Sequence, residues 1–80
     1  MDDTQLLGPR VYKAGKIVFN ERRAAIDCVV RNLSDRGALL QVASPLGIPP
    51  TFDLVCGDTI AQPCQVLWCK EKQIAVEFRR

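Results

Sequence analysis

Asn32-Leu33-Ser34-Asp35-Arg36-Gly37 separates two runs of alternating character, Ala24 to Arg31 before it and Ala38 to Ala43 after it. The hexapeptide reads as a polar turn. Asn32 and Ser34 carry short oxygen-bearing side chains that bond backbone groups two or three residues on, and Gly37 can adopt positive φ without steric cost. In the run before the turn, Ile26, Cys28 and Val30 share one face and Asp27, Val29 and Arg31 the other. In the run after it, Ala38, Leu40 and Val42 alternate with Leu39, Gln41 and Ala43. This period of two, not 3.6, predicts a pair of strands joined by the turn.

Working outward, Gly15 to Phe19 reads as a first strand, closed by the polar hairpin loop Asn20-Glu21-Arg22-Arg23. Ser44 to Pro50 holds three prolines and a glycine in seven residues and is a loop. Thr51 to Val55 predicts a fourth strand ending before the tight-turn dipeptide Gly57-Asp58. A fifth runs from Ile60 to Cys69, with Pro63 implying an edge or a bulge near its start. After Lys70-Glu71-Lys72-Gln73, Ile74, Val76 and Phe78 alternate with Ala75 and Glu77. Trp68 and Phe78 are expected in the core, in phase with apolar neighbours. Six short strands separated by turns define a small all-β barrel or sandwich. Residues 1 to 13 are read as an N-terminal arm and 14 to 80 as the barrel domain.

Composition bounds the function. At 80 residues the chain is one domain, and a chain of this size buries only about 60% of its unfolded surface, so a compact, closed architecture or a partner is needed. Hydrophobic residues make up 48% of it, which excludes a wholly disordered chain, yet no apolar run approaches the ~20 residues that span a bilayer. Met1-Asp2-Asp3-Thr4 is acidic and polar, unlike a secretory leader, so a cytoplasmic protein without membrane association is expected. The four cysteines lack a C-x-x-C pair and there is no histidine, which argues against a metal site and for reduced thiols. Without histidine no Ser-His or Cys-His nucleophile pair can form, so no enzyme is expected. The net charge of +2 does not imply nucleic acid, and Phe19, Phe52, Trp68 and Phe78 fall in different strands without a base-stacking motif, so no DNA or RNA partner is expected.

The N-x-S-x-x-G turn, the basic residues upstream of it, and the late strand Cys64-Gln65-Val66-Leu67-Trp68 answered by Ile74-Ala75-Val76-Glu77-Phe78 together resemble a PilZ domain. The resemblance covers Gly15 to Phe78. It implies a six-stranded antiparallel β-barrel and binding of the bacterial second messenger cyclic di-GMP through R-x-x-x-R and D/N-x-S-x-x-G motifs. By that resemblance Asn32, Ser34 and Gly37 match the turn, and Arg10 matches the second arginine of the upstream pair. Leu6 stands where the first arginine is expected, and Lys13 is the nearby cation that could assist. Arginine suits this ligand because its planar fork matches guanine O6 and N7 or a phosphate through two parallel hydrogen bonds.

The resemblance therefore implies a bacterial signalling module that binds cyclic di-GMP, uses no cofactor, and acts through an unidentified downstream protein. The alternative is a degenerate PilZ domain that no longer binds the dinucleotide and serves as a protein-protein adaptor. The chain stops directly after the last strand, with no room for the C-terminal helix that many PilZ domains carry. Leu39, Val29 and Leu67, on the phase opposite the core, would then be covered either by a second copy in a homodimer or by Leu6 and Leu7 of the arm. The arm around Arg10, lacking strand signal, is expected to order across the 32 to 37 turn on ligand binding.

Overall fold

The computed structural model describes residues 9–57 and 60–79. They form six strands: β1 (Arg10–Phe19), β2 (Ala24–Leu33), β3 (Gly37–Gln41), β4 (Thr51–Cys56), β5 (Gln62–Lys70) and β6 (Gln73–Phe78). All pairings are antiparallel, and the order β1-β2-β3-β6-β5-β4 closes on itself as a barrel. Closure removes every free sheet edge, which is how a short all-β chain avoids leaving backbone donors and acceptors unpaired. Pro63, second in β5, therefore lies in a paired strand opposite Asp53 and not at an edge.

The predicted alternation fills the barrel. Ile17, Val30, Leu40, Cys64, Ile74 and Val76 are fully buried, joined by Cys28, Ala38, Val42, Phe52 and Leu54. Each large aliphatic side chain removed from water in this way contributes about 1.5 to 3 kcal/mol before the entropy of ordering it is subtracted. None of the four cysteines is in a disulfide, and two of them, Cys28 and Cys64, lie inside the barrel. Burial in apolar surroundings pushes the Cys28 thiol up to about 11, helped by Cys56 and Asp27, and the Cys64 thiol up to about 12.

The structure departs from the sequence reading in three places. First, β1 begins at Arg10, five residues before Gly15, so Arg10 and Lys13 are strand residues and not part of an arm. Residues 10–14 are mostly exposed and show no apolar alternation. Their strand state comes from pairing with β2, where Arg10 faces Asn32 and Lys13 faces Val30. The rest of the expected arm, residues 1–8 with Leu6 and Leu7, lies outside the described residues. Second, Trp68 is not in the barrel core. The register of β5 against β6 shifts between Val66 and Trp68, so one residue, Leu67, is extra. A bulge of this kind reverses which face later residues present. Trp68 consequently pairs with Ala75 on the outer wall, where it packs with Leu39 and Ala75. Third, Gly37 does not use positive φ, which among described glycines is confined to Gly47 and Gly57. Its lack of a side chain serves a close approach instead, because a β-carbon there would overlap the Val76 carbonyl oxygen of β6.

The loop 20–23 is the predicted first hairpin connection, but its backbone is unusual. Asn20, Glu21 and Arg22 all have positive φ, at 57°, 57° and 69°. The chain makes one left-handed turn, closed by the Arg23 amide donating to the Asn20 carbonyl at 3.0 Å.

Candidate functional site

The outer wall is organised by a second irregularity. In β2 the register against β3 shifts between Val30 and Asn32, and against β1 between Arg10 and Lys13. Strict alternation would send Arg31 and Asn32 to opposite faces. With Arg31 as the extra residue, Asn32 pairs with Leu39 on the outer face, next to Arg31. Register partners then form one row across five strands: Arg10, Asn32, Leu39, Ala75, Trp68. The row is polar and cationic at the Arg10 end and apolar at the Trp68 end.

At the cationic end lies a recess of about 550 Å³ lined by Arg10, Val11, Tyr12, Arg31, Asn32, Leu39 and Gln73. Its volume falls within the range of roughly 300 to 1,000 Å³ occupied by small-ligand clefts. Asn32 and Leu39 form its buried floor, at 9% and 6% exposure, and Arg10, Tyr12, Arg31 and Gln73 its exposed rim. Arg31 Nη1 donates to Gln41 Oε1 at 2.6 Å, and the Arg31 guanidinium carbon stands 5.7 Å from the centre of the Tyr12 ring. Among the described residues, two guanidinium groups and no carboxylate line the recess, so their field attracts anions. A different recess, at one end of the barrel, is lined by Arg22 and Arg79 but also by Glu21 and Asp53, which offset them.

The residues expected at the site divide accordingly. Arg10 and Asn32 come together in the recess as register partners. Ser34 is turned into its own loop, where its Oγ accepts from the Arg36 and Gly37 amides at 3.1 Å each. The Ser34 amide donates to the Gly37 carbonyl at 2.9 Å, so this serine and glycine shape the turn that holds Asn32 in place. Lys13 lines a different, apolar hollow with Leu33, Leu54 and Phe78, on the barrel side of β1. Arg31 and Tyr12 complete the recess without having been assigned to it from sequence. Arg31 adjoins Asn32 in the chain, but nothing in its residue type announces a bulge.

Fold and site thus define a closed six-stranded antiparallel β-barrel with a cationic recess on its outer wall. No protein-family model, curated protein or solved structure matches this chain, so its function is read from its residues and their geometry.

Proposed function

We propose that the protein is a non-enzymatic receptor for cyclic di-GMP, holding the dinucleotide in the Arg10–Asn32 recess and signalling through contact with a protein partner. The convergence of two guanidinium groups and a buried amide on one recess carries this reading. A guanidinium fork pairs with guanine O6 and N7 or with a phosphate, and an amide oxygen accepts from the guanine N1–H and N2–H edge. The apolar floor at Leu39 offers the base or sugar a dry surface. The PilZ-like turn supports the same ligand, since Ser34 and Gly37 hold Asn32 beside Arg10. Because Arg10 sits in a paired strand, the recess exists before ligand arrives, and little ordering entropy opposes binding.

Calorimetric titration of the full chain with cyclic di-GMP tests the proposal. Binding that Arg10→Ala weakens is the expected result. No heat and no thermal stabilisation at about 100 μM ligand, where affinity would be worth less than ~5.5 kcal/mol, overturns it. A second reading, the adaptor without ligand, is favoured by Leu67, which the β5 bulge leaves 51% exposed beside Trp68. A hydrophobic side chain held outward in this way suits a protein contact, either with a downstream partner or in a homodimer.

A further inference from the structure

Tyr12 keeps 78% of its surface in solvent, although it lies in a strand of a barrel that buries most of its large apolar groups. The ring has a cationic neighbour. Arg31 lies over it at 5.7 Å, and Arg31 is itself anchored at 2.6 Å to Gln41 of the neighbouring strand. The aromatic and the guanidinium therefore meet at the rim of the recess, and Arg31, bonded to Gln41, has less rotamer freedom to lose on binding than a free side chain.

We propose that Tyr12 and Arg31 form a stacking platform that takes one planar heteroaromatic base of a nucleotide. This inference rests on the receptor reading above and adds the way in which a base is recognised. Arg31 covers one side of the ring, leaving the other for a base. Stacking on an exposed aromatic is available to any base, and a guanidinium beside the ring strengthens it through cation–π attraction. Of the Arg31 donors only Nη1 is engaged by Gln41, and the remaining fork can meet the edge or phosphate of the same nucleotide. Arg10 and Asn32 line the same recess, so one nucleotide unit can be stacked and hydrogen-bonded together. The platform makes affinity depend on the base as well as the charge, and the recess discriminates nucleotides from anions of phosphate alone.

The test compares wild type, Tyr12→Phe, Tyr12→Leu and Arg31→Lys by calorimetry and by the proton spectrum of cyclic di-GMP, with inorganic pyrophosphate as the base-free probe. Tyr12→Leu is expected to weaken cyclic di-GMP binding by roughly 5- to 150-fold, the loss of one aromatic stack, whereas Tyr12→Phe stays within about twofold. The upfield ring-current shift of a guanine H8 is expected in wild type and Tyr12→Phe and absent in Tyr12→Leu. Arg31→Lys weakens binding because an ammonium has neither plane nor fork. Pyrophosphate binds wild type and both Tyr12 variants equally. All four proteins should melt alike, since the altered side chains are exposed; Tyr12→Phe and Arg31→Lys decide the matter if Tyr12→Leu does not fold. Equal binding by Tyr12→Leu, without a change in the H8 shift, overturns the platform and leaves the receptor standing. Absence of wild-type binding overturns both.

Discussion

Gly37 of β3 lies directly against the Val76 carbonyl of β6, so near that a β-carbon on Gly37 would overlap the oxygen. The glycine of the central turn is therefore a packing requirement between two strands. Gly37→Ala must push β3 from β6 in the middle of a closed ring, at a cost of about 1 to 3 kcal/mol. Urea unfolding should show a lower midpoint at unchanged slope; an unaltered midpoint would mean the strands yield freely.

Trp68 takes over on the outer wall the covering task that the sequence left to a partner or an arm. Leu39 and Ala75 are buried beneath it at 6% and 0% exposure. Trp68→Ala uncovers both, and an expected loss of about 1 to 3 kcal/mol follows from the apolar area returned to water. Increased binding of a hydrophobic dye to the folded variant would accompany it. A variant as stable as wild type and without dye binding would show that Leu39 and Ala75 need no cover.

The left-handed turn at 20–22 stores strain, since a side chain in that conformation costs roughly 1 to 2 kcal/mol where glycine costs almost nothing. Glu21 is exposed there with φ of 57°. Glu21→Gly should stabilise the protein by up to about 1 kcal/mol after the larger chain entropy of glycine is deducted. A thermal midpoint that falls instead would show that the Glu21 side chain supports the turn.

The buried thiols give stability an alkaline limit. In the unfolded chain Cys28 and Cys64 ionise near 9.0, but in the folded barrel burial holds them up to about 11 and about 12. The folded state thus keeps protons that the unfolded state gives up. Their effect is absent below pH 9 and grows above it, each thiol removing at most about 1.4 kcal/mol per pH unit until the folded value is reached. Replacing Cys64 by Ala lowers stability at neutral pH by leaving a cavity, yet should flatten its decline between pH 9 and 11. An identical decline in the variant would assign the alkaline loss to other groups.

On the receptor proposal, Arg10 and Ser34 should contribute separably to ligand binding. Arg10→Ala should weaken cyclic di-GMP by about 1 to 3 kcal/mol, the worth of a good bidentate contact, with little change in melting temperature. Ser34→Ala should act first on the fold, costing ~1 kcal/mol through the turn hydrogen bonds it loses. A Ser34→Ala protein that melts like wild type but fails to bind would give the hydroxyl a direct ligand contact.

Much of the architecture was legible in one dimension. Alternation is a local property, so Cys28, Val30, Leu40, Ile74 and Val76 could be assigned to one interior from their spacing alone. The turn residues did the same for the hairpin loop at 20–23 and for the loop between the third and fourth strands. Arg10 to Ala14 escaped this logic because exposed strand residues carry no apolar signature; pairing with β2 holds them. Arg10 and Asn32 were legible as candidates for one site, whereas the convergence of Arg31 and Tyr12 on it was not.

The sequence by itself determined six strands, their turns and most of the residues that fill the barrel, because side-chain hydrophobicity at period two marks one face of each strand for burial. The tertiary structure alone decided where that period is interrupted. Arg31 and Leu67 are ordinary strand residues, and each becomes a bulge only because the registers of neighbouring strands must agree around a closed ring. Those two interruptions turn Asn32 and Trp68 to the outer wall, one as the floor of the cationic recess and the other as the cover of an apolar patch.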